Sequence, residues 1–396
     1  MNVRHPVWLS ALARPGAQAF ALLFALESAA RAILATVIPL QVLEAAGSPE
    51  YASLVFFAVS LGGLLSNFAI PALARHLSRR FTYSLGAVAL LLAAASLSHP
   101  ALATTMAGML LRTFAAACFA ICLNLYILDY LRGQELNRLE PLRLFLASFA
   151  WALGPWLGVF LWTKVHPLLP FAVSGAAALL VLAYFWTLRA GENRIIVRAK
   201  SPPPSPLKAL RSYFAQPRLR LAWFIVLIRS SWWSMFFSYG PIFAVEAGLG
   251  REAAGLIVSA GNALLFTAPL LGLAIRRWGV RRTIVGAFLA SGALTLAAAA
   301  LARPDPVAAA VLLVAASLPV CALDAAGNLP FLRSVRPSQR APMTMVFMTY
   351  RDASEILPPG VFAVLLKALP LPFVFVASGL SMLAMVRYAR FLPRRL

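Results

Sequence analysis

Apolar segments of about 20 residues recur along the whole chain, and they constrain its fold more than any other feature. The segments 81–99 and 283–302, for example, contain no Asp, Glu, Lys or Arg. A helix of this length matches the ~30 Å hydrocarbon core of a bilayer. Charged residues make up only 12% of the chain, whereas soluble domains carry about 25%. The sequence therefore predicts a multi-pass membrane protein.

Clusters of Arg, Pro and Gly divide the chain into twelve such segments. Transmembrane strands would alternate apolar and polar residues over segments of ~10 residues, and that alternation is absent. The predicted fold class is an all-α membrane protein with twelve transmembrane helices in two six-helix bundles. The predicted spans are residues 17–46, 51–73, 81–99, 101–130, 141–163, 166–188, 221–247, 252–275, 283–302, 306–332, 342–367 and 370–390.

Basic residues are distributed unevenly between the two ends of these spans. Of the 35 Lys and Arg residues, 27 fall on the side that contains both termini. Only Lys164, Arg251, Arg303 and Lys367 fall on the opposite side. By the positive-inside rule both termini are predicted to be cytoplasmic, in a bacterial inner membrane. Topology and attraction to anionic lipids account for the net charge of +22, which argues against nucleic acid as a partner.

The segment 189–220 differs from the rest in composition, with eight basic residues, one acidic residue and the run SPPPSP. We interpret it as a cytoplasmic linker that divides the spans six and six. The predicted organisation is a cytoplasmic N-terminus at 1–16, a six-helix bundle at 17–188, this linker, a second bundle at 221–390 and a cytoplasmic tail at 391–396.

The two halves match each other at a nearly constant offset. At 202 residues, Glu27 aligns with Arg229. The turn ARHLSRRF (74–81) likewise matches IRRWGVRRT (275–283). Two parallel repeats joined by a cytoplasmic linker are the arrangement of the major facilitator superfamily, and the chain resembles that family over essentially its whole length. The resemblance implies an alternating-access transporter that works as a monomer.

Short motifs also resemble those of the family. The loop motif between spans 2 and 3 ends in two basic residues, which are present here in both halves, but arginines occupy the motif's acidic positions. The resemblance implies a cytoplasmic gate, for which Asp129 is the candidate acidic partner. The predicted gate residues are Arg75, Arg79, Arg80, Asp129, Arg276, Arg281 and Arg282. For Asp129, a solvated helix end is the alternative.

Two further motifs lie in spans 4 and 5. The run LLRTFAAACFA (110–120) looks like the family's R-x-x-x-G motif, with Ala in place of Gly. The run ALGPWLG (152–158) is similar to the G-P-x-x-G motif associated with exporters that exchange substrate for protons. Packing or hinge roles are predicted for Pro39, Gly154, Pro155, Gly158, Pro241, Pro358 and Pro359.

In the family, spans 1, 4, 7 and 10 line the transport cavity, and the charges within this chain's spans fall on those helices and on span 11. Glu27 lies ~15 Å along span 1, where a charge is costly enough to indicate function. We interpret Glu27 as the proton-coupling carboxylate, with Asp352 and Glu355 as further candidates. Alternatively, Glu27 and Arg31 neutralise each other as an i,i+4 pair that fixes packing, as Arg351 and Glu355 would in span 11.

Aromatic residues accompany these charges, above all in the run RSSWWSMFFSYGP (229–241). Aromatic walls with a few charges suit an amphipathic organic molecule, although half of these rings would pack against lipid or neighbouring helices in any membrane protein. The candidate substrate-binding residues are Arg31, Arg112, Asn124, Arg229, Trp232, Trp233, Phe236, Tyr239, Asp324, Asn328, Tyr350 and Arg351.

The expected function is proton-coupled export of small amphipathic compounds. Proton-coupled uptake of an organic anion would use the same residues, and a lipid flippase also remains open. A membrane-embedded enzyme is disfavoured because no His is grouped with acidic residues as a catalytic site requires. No Cys/His cluster has metal-site spacing, and no cofactor is expected.

Overall fold

The computed structural model describes residues 16–131, 134–188, 206–335 and 340–393. These residues are almost entirely helical and contain no β-strand. In chain order the helices are α1 (Ala17–Ala32), α2 (Val37–Ala46), α3 (Pro49–His76), α4 (Arg79–Leu97), α5 (Leu102–Tyr130), α6 (Gln134–Phe160), α7 (Leu169–Thr187), α8 (Pro206–Phe214), α9 (Pro217–Glu246), α10 (Gly250–Ala263), α11 (Ala268–Trp278), α12 (Val280–Leu301), α13 (Pro306–Ala326), α14 (Leu329–Ser334), α15 (Arg340–Met348), α16 (Tyr350–Leu365) and α17 (Pro372–Ala389).

Within the described residues, ten segments are helical, long and apolar enough to cross a membrane. An eleventh candidate consists of α10 and α11, which meet at an angle of 48°. The region predicted as span 11 is divided at Thr349 into α15 and α16, of 9 and 16 residues, so neither part alone reaches the ~20 residues of a full span. The all-α membrane fold is thus confirmed, and the helices are consistent with twelve spans.

The helices form two compact units. Unit 1 comprises the described residues up to Gln41 and from Leu61 to Leu188. Its core is built on aromatic rings, and Tyr83 stacks on Phe185 with 4.2 Å between ring centroids. This stack buries the polar Tyr83 side chain completely, so its hydroxyl needs a partner inside the unit.

Span 1 is interrupted between α1 and α2, and Gly158 of α6 packs directly on this break. A Cβ at Gly158 would overlap the carbonyl oxygen of Ile33. One turn earlier, a Cβ at Gly154 would lie 2.8 Å from the Cβ of Ala32. The exporter-like motif of span 5 therefore contacts span 1 through glycines that have no room for a side chain.

The prolines predicted as hinges lie in different surroundings. Pro39 lies in the first turn of α2, where a proline is tolerated. Pro241 lies inside the continuous helix α9, and Pro358 and Pro359 lie inside α16.

Unit 2 comprises residues 42–60 and the described residues from Pro206 onward. Tyr239 of α9 donates a hydrogen bond to Ser53 Oγ at 2.7 Å, and Arg251 and Glu44 form an ion pair. Residues 42–60 are therefore held in this unit by polar contacts as well as by packing. The predicted domain bounds at 17–188 and 221–390 stay a prediction.

The helix α8 lies within the segment that the sequence identifies as a linker. Tyr213 of α8 is fully buried, and its hydroxyl donates to the Leu219 carbonyl oxygen at 3.0 Å. Its ring belongs to the same apolar cluster as Phe331 and Phe347. The end of the linker is thus an integral part of the unit 2 core.

Candidate functional site

The buried carboxyl group of Glu27 is the centre of a polar cluster in unit 1. Glu27 lies on α1 and is only 1% exposed. The hydroxyl of Tyr83, on α4, donates a hydrogen bond to Glu27 Oε1. Sequence reasoning missed Tyr83, because one tyrosine in a predicted span carries no signal of a partner 56 positions away. The carboxyl group is therefore bonded by a neutral phenol.

Two arginines near this carboxyl group donate hydrogen bonds to backbone carbonyls of α1. Arg31 Nε donates to the carbonyl oxygen of Glu27 at 3.3 Å, and Arg112 donates to the carbonyl oxygen of Arg31 at 3.1 Å. The carbonyl of Arg31 is in the last turn of α1, where carbonyls lack the partners that a continuing helix would supply, and cations are favourable at a helix C-terminus. A third arginine, Arg143 of α6, lies over the ring of Phe24 at 4.6 Å.

The polar cluster of unit 2 is built around a buried cation. Arg229 on α9 is 7% exposed, and its Nε lies 3.1 Å from Oδ1 of Asp324 on α13. The N–H does not point at this oxygen, so the contact is an ion pair without an aligned hydrogen bond. Trp233 Nε1 donates to Asp324 Oδ2 at 2.9 Å. Arg229 also donates to the hydroxyls of Ser230 at 3.1 Å and Tyr350 at 3.4 Å.

The aromatic residues around Arg229 divide into two groups. Trp233 contacts the ion pair through Asp324. Trp232 is buried instead, where it stacks on Phe236 at 5.2 Å and donates to Thr295 at 2.9 Å. Tyr239 is also fully buried and bonded to Ser53. The structure thus brings Trp233 and Tyr350 to the charges and places Trp232, Phe236 and Tyr239 in the core.

Comparison with known proteins agrees with this architecture. The family model described as Major Facilitator Superfamily matches residues 20–359. The chain belongs to the Major Facilitator Superfamily. The superfamily membership makes the protein a transporter rather than an enzyme.

Solved structures of superfamily transporters have the same fold. The nucleoside transporter NupG aligns with a TM-score of 0.69 at 14% identity, covering 96% of this chain and 99% of that one. An auto inhibited POT family peptide transporter aligns with a TM-score of 0.73 at 15% identity, covering 95% and 97%. A POT family transporter in complex with 5-aminolevulinic acid aligns with a TM-score of 0.73 at 12% identity, covering 93% of this chain and 94% of that one. A search of curated protein sequences gives no significant match.

The remaining candidate residues of this superfamily member are mostly exposed. Asn124 and Asn328 are exposed. In span 11, Tyr350 contacts Arg229 and also hydrogen-bonds with the Arg351 side chain. Arg351 and Glu355 are exposed, and Asp352 is half-buried. Their roles in substrate binding and proton coupling stay predictions.

The predicted gate arginines lie at the two turns that carry the superfamily's loop motif, and Asp129 lies at the end of α5. In unit 1 the guanidinium of Arg80 stacks on the ring of Trp186 at 3.8 Å, and Arg79 is half-buried beside it. In unit 2, Arg281 is half-buried, whereas Arg276 and Arg282 are exposed. The side chains of Arg75 and Asp129 lie outside the described residues, so a gate that involves them stays a prediction.

Proposed function

We propose that this transporter exports small amphipathic organic compounds in exchange for protons, by alternating access. The observation that supports this most is the buried Glu27 carboxyl group, bonded by the neutral phenol of Tyr83. A phenol hydroxyl can donate to a carboxylate and accept from a carboxylic acid. Both protonation states of Glu27 therefore keep a hydrogen bond, which suits a group that gains and loses a proton in every cycle.

The arginines near Glu27 support the same role. Arg31 donates its described hydrogen bond to the backbone carbonyl of Glu27, and not to the carboxylate in the way that Arg229 is paired with Asp324. A buried charge without a bonded counter-ion is unstable. A change in the position of Arg31 relative to Glu27 would therefore change the affinity for the proton.

Export is favoured over uptake by the exporter-like motif of span 5 and by the contact of its glycines with span 1. Gly154 and Gly158 touch the break that directly follows Arg31. A displacement of α6 relative to α1 would be transmitted to the part of α1 that bears Glu27 and Arg31, because the two backbones are in direct contact at these glycines and close-packed contacts transmit strain. In this proposal the motif couples helix movement to proton release.

The substrate class follows from the unit 2 cluster. The Asp324 side chain is 31% exposed although Arg229 beside it is only 8% exposed. Trp233 and Tyr350 flank this pair and supply aromatic surface beside charge, as an amphipathic ligand requires. We further propose that the protein lies in a bacterial inner membrane with both termini cytoplasmic, on the support of the asymmetry in basic residues. The resemblance to the superfamily implies a monomer.

The test uses the purified protein in liposomes that enclose a pH-sensitive dye and hold an acidic interior. Lipophilic cations, amphipathic anions and small metabolites are added in turn. Proton efflux in exchange for an added compound is expected, and it should disappear in Glu27→Gln but persist in Glu246→Gln, which alters an exposed carboxylate. Proton movement together with the compound would mean uptake of an organic anion, and unchanged coupling in Glu27→Gln would remove Glu27 from the mechanism.

A further inference from the structure

A basic pocket of about 830 Å³ lies at the turn between α11 and α12, beside the end of α17. Three of its lining residues are arginines and none is acidic, and all of them belong to the described part of the chain. The lining includes Trp278, Arg281, Arg282, Val285, Gly286 and Arg390. By the charge asymmetry of the sequence this turn lies at the cytoplasmic membrane surface.

The corresponding turn of unit 1 can be matched to this one by its backbone. The residue before α4, Ser78, has φ 68° and ψ 153°, and the residue before α12, Gly279, has φ 81° and ψ 154°. Four residues later, Thr82 and Thr283 each donate to the carbonyl oxygen of that residue, at 2.8 and 2.9 Å. This register aligns Arg80 with Arg281.

The last helix of each unit can be matched by its buried face. The buried residues of α7 and α17 follow the same spacing, with Gly175 at the position of Gly379. The same spacing aligns Trp186 with Arg390.

In unit 1 the position that corresponds to the pocket is occupied by side chains of the protein. The guanidinium of Arg80 lies 3.8 Å from the ring centroid of Trp186. The indole Nε1 of Trp186 donates to Ser84 Oγ at 3.0 Å. The ring thus covers the cation, an arrangement that is favourable in itself.

In unit 2 the same three positions carry Arg281, Arg390 and Val285, which all line the pocket. Arg390 stands where unit 1 has the Trp186 ring, and Val285 stands where unit 1 has the Ser84 hydroxyl that accepts a hydrogen bond from that ring. Within the described residues neither guanidinium has an acidic partner. Two like charges that share one pocket repel each other, so an anion between them would replace repulsion by attraction.

We propose that this pocket binds an anionic phospholipid of the cytoplasmic leaflet, with its phosphate between Arg281 and Arg390. Guanidinium groups match phosphate oxygens in pairs of hydrogen bonds. Trp278, 57% exposed, is an aromatic residue of the kind enriched at membrane interfaces. A Cβ at Gly286 would meet nothing within 4 Å, and Leu289 one turn deeper is 52% exposed. This open apolar strip gives an acyl chain a place beside the headgroup.

The proposal is tested by native mass spectrometry of the full chain, purified in detergent and given equal amounts of phosphatidylglycerol and phosphatidylcholine. We expect retention of phosphatidylglycerol, and a loss of about fivefold in affinity for each arginine removed in Arg281→Gln and Arg390→Gln. The matched control is Arg277→Gln with Arg387→Gln, which removes two exposed arginines from α11 and α17 that do not line the pocket. The proposal would be overturned if the protein retained the two lipids equally. It would also be overturned if the variant carrying Arg281→Gln and Arg390→Gln retained phosphatidylglycerol as well as the unaltered protein does.

A second variant guards against misfolding. Arg390→Trp combined with Val285→Ser rebuilds the unit 1 arrangement, so it should keep thermal stability while no longer retaining phosphatidylglycerol. Retention of the lipid by this variant would contradict the proposed phosphate position. Glycerol 3-phosphate, a headgroup without chains, should fail to displace the lipid at equal concentration; displacement would identify a soluble phosphate ligand instead.

Discussion

The two repeats bury an acidic and a basic side chain at aligned positions and stabilise them differently. In unit 1 the buried group is the carboxyl of Glu27, held by the neutral hydroxyl of Tyr83. In unit 2 the buried group is the guanidinium of Arg229, paired directly with Asp324. A direct ion pair favours a fixed charge state, whereas a phenol accommodates a carboxyl group with or without its proton. The repeats therefore share a fold but surround their buried polar group with different partners.

The largest effect should come from breaking the direct pair. In Asp324→Asn the Arg229 guanidinium, 8% exposed, loses its counter-ion, and leaving a buried charge unpaired costs about 3–5 kcal/mol. Thermal unfolding in detergent should show a large loss of stability. The double variant Arg229→Met with Asp324→Asn should recover much of it, because no charge is then left unpaired. If the double variant is no more stable than the single one, the ion pair does not define the unit 2 cluster.

The next effect should come from the glycine contact in unit 1. In Gly158→Ala the new methyl group would overlap the Ile33 carbonyl oxygen, so α6 must move away from α1. Overpacking of this kind costs about 1–3 kcal/mol, and coupled transport should fall with stability. Gly272→Ala is the control, because a Cβ there meets nothing within 4 Å. Wild-type stability and coupling in Gly158→Ala would show that this contact transmits nothing.

Sequence reasoning recovered the features that depend on composition and spacing. The all-α membrane fold, its family and the helices that bear Glu27 and Arg229 follow from hydropathy and repeat alignment. Partners across helices do not follow, because they depend on how each helix is rotated about its axis. Trp232 and Trp233 are adjacent in the sequence, yet successive residues point about 100° apart on a helix. One packs in the core against Thr295 and the other bonds Asp324.

An effect of similar size should follow from removing the phenol hydroxyl of unit 1. In Tyr83→Phe the ring keeps its stack on Phe185, but Glu27 loses a hydrogen bond inside the protein, which costs about 1–3 kcal/mol. The pH dependence of proton-coupled transport should shift, since the charged and neutral forms of Glu27 lose different amounts of stabilisation. Tyr51→Phe, at a residue that is 59% exposed, should leave both properties unchanged. A stability loss without any shift in the pH profile would assign Tyr83 a structural role alone.

The smallest effect on stability, with the sharpest effect on function, should come from Glu27→Gln. The amide oxygen of glutamine still accepts the hydrogen bond from Tyr83, and Arg31 and Arg112 keep their backbone carbonyls, so thermal stability should change by less than about 1 kcal/mol. The variant cannot exchange a proton at this position, so counterflow of substrate should continue while proton-driven accumulation stops. A large loss of stability would instead mean that the negative charge balances the nearby arginines in the fold. In that case both repeats would hold a fixed cluster of charges, and the difference between the Glu27 and Arg229 sites would disappear.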